Sequence, residues 1–244
     1  MKLYAIVCEA LARESFHAAS RSPHVVTISP KEFGLHNVPD QLRASLQDEI
    51  DRASDGRFEY IILAYGLCSL GTAGLFARDV PIVIPRAHDC ITHLLGSKER
   101  YQREFAEHPG TYYYSPGWIE RKEGEIVQGG VEIVQDVAAE KRFREYVDLY
   151  GEDNARFLME QESQWLAHYN RAAFINMGIG DIPHYRSFTK EVAESHGWTY
   201  EELAGDLRLM DLLFRGEWDS SEFLIVQPGQ RTVADVNAGI ISAA

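Results

Sequence analysis

The sequence predicts an α/β fold in which helices flank a parallel, Rossmann-like sheet. Short apolar runs rich in β-forming residues recur along the chain, amphipathic segments separate them, and glycine, proline or polar turns close most of them. Strands that alternate with helices in this way pair in parallel through right-handed crossovers. The 244 residues are enough for one large domain or two smaller lobes.

The first half of the chain follows this alternation closely. Strands are predicted at 3–7, 24–28, 60–65 and 80–84, and helices at 11–19, 39–52 and 91–105. The run 60–65 is apolar without alternation, which is typical of a strand buried on both faces. In the helix 39–52, Leu42, Leu46 and Ile50 recur every four residues and form one apolar face.

The second half follows the same pattern less regularly. Helices are predicted at 138–169, 185–195 and 201–215, and strands at 172–177 and 222–226. Glycine pairs near 120–135 suggest a division into an N-terminal α/β lobe, 1–125, and a C-terminal α/β lobe, 126–244, with a single domain as the alternative.

Charge and hydropathy exclude several classes of partner. The net charge of −13, with no dense basic patch, argues against nucleic-acid binding. No segment approaches the roughly 18 apolar residues that a membrane helix requires. The first residues lack a signal-peptide pattern, so we expect a cytoplasmic protein that acts on a small molecule and not on a membrane.

Three cysteines, Cys8, Cys68 and Cys90, follow the first, third and fourth predicted strands. Since the carboxyl ends of parallel strands meet at one edge of a sheet, their thiols are predicted to share a metal site. Thiolates select zinc or iron–sulfur clusters, and three protein ligands leave one coordination position open. The alternative is that all three are small buried residues.

Several neighbours of the cysteines are candidates for catalysis. His88 is predicted to be an acid/base or a fourth ligand, Glu9 a proton carrier and Arg86 a clamp for an anionic group. Each also has a structural alternative: a helix-entry histidine, a helix-start acid and a surface ion pair. Asp89 is predicted to cap the following helix, whose positive end would lower the pKa of Cys90.

Glycines and tyrosines near the predicted site are further candidates. Gly66 and Gly71 follow the third strand without a nucleotide-binding spacing, and we expect them to let the backbone approach a cofactor or metal. The run 112–114 and Trp118 could wall an apolar pocket, although a strand with alternating burial is the commoner reason for such a run.

Five segments carry a resemblance to a known family: Tyr65-Gly66-Leu67-Cys68, Pro85-Arg86-Ala87-His88-Asp89-Cys90-Ile91, Leu95-Gly96-Ser97, Gly110-Thr111-Tyr112-Tyr113-Tyr114-Ser115 and Gly216-Glu217-Trp218. In these the chain resembles the domain of unknown function 1638 family. That resemblance implies an association with corrinoid-dependent methyl transfer, and hence a corrinoid protein as a candidate partner. In ligand count alone, the three cysteines also look like those of the 2-thiouracil desulfidase family, which hold a [4Fe–4S] cluster.

Three functions are therefore predicted. The first is an enzyme with zinc on Cys8, Cys68 and Cys90, acting as a Lewis acid on a small molecule in a reaction such as methyl transfer. The second is a [4Fe–4S] enzyme of the desulfidase or lyase type. The third is a non-catalytic accessory protein that binds a metal or a corrinoid protein.

Overall fold

The computed structural model describes residues 1–122, 143–144, 146–148, 150–157, 159, 168–235 and 240–244. Within these residues the protein is a mixed α/β structure whose sheets are mainly parallel. No helix of the described part is long and apolar enough to cross a membrane. The Rossmann-like relationship stays a prediction.

The larger sheet contains five strands: β1 (Lys2–Cys8), β2 (Val25–Lys31), β3 (Tyr60–Ala64), β4 (Ile82–Pro85) and β8 (Phe223–Val226). Their order is β2-β1-β3-β4-β8. The first four strands pair in parallel, as predicted, whereas β8 runs antiparallel to β4. The sheet is therefore mixed, which the alternation of strands and helices did not predict.

Helices cover both faces of this sheet. On one face, Leu3, Ala5 and Val7 of β1 pack in a core with residues of α1 (Ala12–Ser20) and α7 (Arg208–Arg215). On the other face, Ile6 packs in a second core with residues of α2 (Pro39–Ala53). The alternation along β1 places Cys8 with the second core.

A smaller sheet contains β5 (Thr111–Tyr114), β6 (Arg171–Asn176) and β7 (Thr199–Ala204), all parallel and in that order. The helix α6 (Ile182–His196) packs on β6 and β7. An antiparallel pair, β9 (Thr232–Asp235) and β10 (Ile240–Ala243), completes the strands of the described part. The division into lobes 1–125 and 126–244 stays a prediction; β5 precedes that boundary, and β8 follows it.

Two short helices, α3 (Cys90–Leu95) and α4 (Lys98–Glu107), lie between β4 and β5 in sequence, and a third, α5 (Pro116–Lys122), follows β5. The single helix predicted at 91–105 is wrong, because Gly96 adopts the left-handed conformation at the end of α3 and Ser97 caps α4. The helix predicted at 201–215 is also wrong in its first part, where β7 ends at Ala204. Most of the helix predicted at 138–169 falls outside the described residues.

Candidate metal-binding cavity

Three separate segments bring the cysteines to one cavity of about 620 Å³. Cys8 is the last residue of β1, Cys68 lies four residues after the end of β3, and Cys90 is the first residue of α3, just after β4. Because β1, β3 and β4 are parallel neighbours, their carboxyl ends open on the same side. Cys8 is buried and the other two cysteines are half-buried.

Backbone hydrogen bonds fix the loop of Cys68 against the loop that leads to Cys90. The Leu67 amide donates to the Ala87 carbonyl at 2.8 Å, and the Cys68 amide donates to the His88 carbonyl at 2.9 Å. These bonds extend the pairing of β3 and β4 beyond the ends of the two strands. The position of Cys68 is therefore tied to the position of Cys90.

Two glycines allow this close approach. A Cβ on Gly66 would lie 2.6 Å from the Asp89 backbone nitrogen, and a Cβ on Gly71 would lie 2.5 Å from a methyl carbon of Leu42. Gly66 also lines the cavity. The close contacts in the structure are with the protein itself, and the predicted contact of Gly66 and Gly71 with a cofactor stays a prediction.

The loop of Cys68 has a strained backbone. Cys68, Ser69 and Leu70 have φ values of 45°, 54° and 71°, which side chains other than glycine rarely adopt. The Thr72 hydroxyl donates to the Gly66 carbonyl at 3.0 Å and holds the ends of the loop together. A strained run that directly contains a candidate ligand is typical of a functional loop.

Asp89 caps α3, as the sequence predicts. Its Oδ1 accepts hydrogen bonds from the Ile91 amide at 3.0 Å and the Thr92 amide at 3.4 Å. Its Oδ2 accepts from the Tyr101 hydroxyl at 3.0 Å. Burial raises the pKa of this carboxyl, while the hydrogen bonds from Tyr101 and the helix amides act in the opposite direction.

Burial is the largest influence on the pKa values of the three cysteines. It raises the pKa of Cys8 to about 11 and that of Cys68 to about 12. The expected lowering of the Cys90 pKa by α3 is wrong: burial, followed by the charges of Asp89, Cys8 and Cys68, raises it well above its ordinary value. The charge of Cys8 also raises the pKa of Cys68, so ionisation of one of these thiols opposes ionisation of the other.

The other predicted catalytic residues lie in different environments. His88 lines the cavity with an exposed side chain. Glu9 accepts a hydrogen bond from the Phe33 amide at 3.0 Å and lies 3.5 Å from Arg121, and thus fixes a segment of the cavity wall. The Arg86 guanidinium donates to the carbonyls of Ser220 and Ile241.

Neither Glu9 nor Arg86 is among the described residues that line the cavity. Arg86 bonds to backbone carbonyls because its side chain points toward the β8 and β10 segments. A role for either residue in proton transfer or substrate binding stays a prediction, and the contacts shown are structural.

Aromatic side chains form much of the cavity wall. Tyr112, Tyr113 and Trp118 line it, as one of the two interpretations of that run predicts, whereas Tyr114 is buried outside it. The sequence argument missed other wall residues, including Phe33, Tyr65, Tyr101, Phe105, Tyr169 and His36. These come from loops and helices far apart in the chain, and only Tyr65, which directly follows β3, carried a positional signal.

The three cysteines are the candidate metal ligands of the cavity. Among the described residues, no group of three or more histidine, cysteine, aspartate or glutamate side chains is placed so that it could hold a metal ion. A tetrahedral zinc bound at about 2.3 Å requires its thiolates to converge around a single point. In a [4Fe–4S] cluster each cysteine binds a different iron, so its ligands need not converge on one point.

Fold and cavity together define the class: an α/β protein with a cysteine-lined cavity at the carboxyl edge of a mainly parallel sheet. The chain belongs to the family described as a protein of unknown function (DUF1638), whose model matches residues 31–213. The matched region contains Cys68 and Cys90, whereas Cys8 precedes it. No curated protein and no solved structure matches the chain.

Proposed function

We propose that the protein is a metal-dependent enzyme that binds its metal centre through Cys8, Cys68 and Cys90 and acts on a small molecule. The observation that carries this proposal is that all three cysteines line one cavity. They reach it from the carboxyl ends of β1, β3 and β4, which are parallel neighbours in the sheet. A centre held by three cysteines keeps one coordination position for a substrate atom.

Strand order supports the position of the centre. In the order β2-β1-β3-β4 the connections diverge between β1 and β3, and open α/β sheets bind ligands at such a switch point. Cys8 and Cys68 follow the two strands that flank this point. The same order supports our proposal that the larger sheet is Rossmann-like, of the flavodoxin type, with β8 added at its edge.

The residues around the thiols have distinct proposed roles. Tyr65 is buried beside Cys8 and Cys68, and its hydroxyl lies within hydrogen-bond reach of the Cys8 thiol. We assign it to position the Cys8 thiol. The exposed His88, at the rim of the same cavity, is the acid/base candidate.

We propose two alternative centres on these thiols, a zinc ion and a [4Fe–4S] cluster, because thiolate ligands select both. The reaction class that we propose depends on which centre is bound. A cluster indicates a desulfidase or lyase, and zinc indicates methyl transfer linked to corrinoid metabolism.

Anaerobic purification followed by zinc, iron and acid-labile sulfide analysis tests the proposal. We expect a stoichiometric metal centre in the wild type and at least a fivefold loss in each of Cys8→Ser, Cys68→Ser and Cys90→Ser. Leu70→Ala is the matched control: it changes the same loop, but its side chain is about half exposed and does not line the cavity. It should keep the metal.

The result also separates the alternatives. A brown protein with iron and sulfide indicates the cluster, and a colourless protein with one zinc indicates the Lewis-acid enzyme. A metal-free protein after anaerobic reconstitution, or three cysteine variants that keep their metal, would refute the site. A centre whose spectrum does not respond to added thiol or cyanide has no open position, which would leave the accessory role.

A further inference from the structure

The walls of the cavity are rich in aromatic side chains. Eight phenylalanine, tyrosine and tryptophan side chains of the described residues line it: Phe33, Tyr65, Tyr101, Phe105, Tyr112, Tyr113, Trp118 and Tyr169. The ring centroids of Tyr101 and Tyr113 are 6.4 Å apart with the planes inclined by 63°, and those of Tyr101 and Phe105 are 6.3 Å apart at 55°. Rings inclined in this way pack edge to face against one another and form a continuous aromatic wall.

The charged groups of the wall have one sign. Asp89 and Glu32 line the cavity, and no lysine or arginine is among its described lining residues. The nearest candidate cation from the sequence, Arg86, bonds to backbone carbonyls elsewhere. An anionic substrate would therefore find no permanent positive side chain on the described wall, and a cation would find two carboxylates.

Asp89 and Tyr101 connect the carboxylate to the aromatic wall. The 3.0 Å hydrogen bond from the Tyr101 hydroxyl to Asp89 Oδ2 places the carboxylate at the edge of the Tyr101 ring. The cavity thus combines an aromatic wall with a carboxylate that is hydrogen-bonded to that wall.

We propose that this cavity binds a small organic cation, with a quaternary or methylated ammonium group against the aromatic faces beside Asp89. Aromatic cages bind such groups through the attraction between the cation and the ring faces, and desolvation in a cavity strengthens that attraction. The proposal deepens the proposed function, because it names the class of small molecule. It rests on the cavity wall and not on the thiols.

Isothermal titration of the full-length protein with choline, and with its neutral isostere 3,3-dimethylbutan-1-ol, tests the charge directly. The two probes have the same shape and differ at one atom, nitrogen or carbon. At pH 8, where histidine side chains are largely neutral, we expect choline to bind roughly tenfold more tightly than the isostere. Sodium acetate, as the anionic probe, should not bind.

Two variants locate the cation. Asp89→Asn keeps an N-cap acceptor and removes the charge, so choline binding should weaken about fivefold while isostere binding stays the same. Tyr101→Leu should weaken choline binding by a similar factor. Tyr150→Leu is its matched control, because Tyr150 is exposed and lies outside the cavity lining.

Equal binding of choline and the isostere would overturn the proposal and would indicate a neutral apolar occupant. Binding of neither probe, or tighter binding of acetate, would also overturn it. The comparison of choline with the isostere on the wild-type protein tests the proposal even if a variant fails to fold. Metal analysis of the same samples tests the metal centre separately from the cation site. Metal-free protein that binds choline more tightly than the isostere supports the cation site but not the metal centre. Metal-loaded protein that does not bind choline refutes the cation site but not the metal centre.

Discussion

Gly66 passes so close to Asp89 that a side chain at residue 66 could not be accommodated: an added Cβ would lie 2.6 Å from the Asp89 nitrogen and 2.8 Å from its Cα. The same Cβ would lie 2.8 Å from the Ala87 carbonyl oxygen. All three neighbours are backbone atoms, so no side-chain rotation relieves the contact. Gly66 therefore sets how closely the Cys68 and Cys90 loops approach each other.

Gly66→Ala should separate these two loops. We expect it to lower the free energy of unfolding by about 2–4 kcal/mol, as overpacking against fixed backbone does, and to reduce metal content in parallel. Urea unfolding and metal analysis are the measurements. Gly56→Ala is the control, since a Cβ there meets nothing within 4 Å, although its φ of +81° imposes a local cost.

The control should lose only about 1 kcal/mol, the usual cost of a left-handed conformation without glycine, and should keep its metal. Equal destabilisation by the two substitutions would show that the contact between residue 66 and Asp89 is unimportant.

Sequence periodicity was sufficient for the parallel part of the larger sheet. Buried parallel strands read as continuous apolar runs, so 60–65 was recognisable as the strand β3 (Tyr60–Ala64). The cap at Asp89 was also predictable, because a short polar residue before a helix satisfies free amides locally. Such features depend on neighbours in the chain.

Features that depend on distant neighbours were not predictable. The antiparallel pairing of β8 joins Phe223 to Pro85, and the cavity wall joins Phe33 to Tyr101; in neither pair does spacing along the chain carry a signal. The pKa of Cys90 was predicted in the wrong direction because burial, which no local pattern reports, outweighs the helix end.

Leu70 provides a test of the strained loop. Its φ of 71° is left-handed, and its side chain is 51% exposed, so a substitution there removes little packing. Asparagine tolerates this conformation better than leucine. Leu70→Asn should raise the free energy of unfolding by about 0.5–1 kcal/mol.

Leu70→Ala should leave the stability nearly unchanged, because alanine meets the same restriction on φ as leucine. Thermal unfolding of the three proteins at one pH makes the comparison. If asparagine and alanine have the same effect, the left-handed loop stores no measurable strain.

Glu49 is predicted to stabilise the fold only above acidic pH. Burial alone would raise its pKa, but hydrogen bonds from Lys31, Tyr4 and Ser29 outweigh it and lower the pKa to about 2. A lowered folded-state pKa gives stability that is present above the unfolded value, 4.5, and is lost as the pH falls toward 2.

Glu49→Gln should therefore destabilise the protein at pH 7 by roughly 2 kcal/mol, the scale of a hydrogen bond to a charged group. The difference from the wild type should shrink at pH 3. Asp40→Asn is the control: Asp40 pairs with Arg43, but its side chain is 89% exposed, so little change is expected. Urea midpoints at both pH values give the answer, and a pH-independent effect of Glu49→Gln would contradict the assignment.

Glu14 is predicted to have the opposite pH dependence. It lies on α1 with 1% exposure, and neither carboxylate oxygen has a hydrogen-bond partner in the described part of the chain. Burial raises its pKa to about 7, Arg13 acts in the opposite direction, and Glu120 adds to the increase. A raised folded-state pKa gives stability that is full below 4.5 and is lost as the pH rises through 7.

Glu14→Gln cannot ionise, so its stability should exceed that of the wild type increasingly as the pH rises. The shift predicts that the difference grows by roughly 2–3 kcal/mol between pH 5 and pH 8. Urea unfolding across this pH range measures the difference in the free energy of unfolding. Glu191→Gln is the control: Glu191 is exposed, so this variant should have the same pH dependence as the wild type. A difference that stays constant between pH 5 and pH 8 would mean that Glu14 is ionised in the folded protein at both pH values.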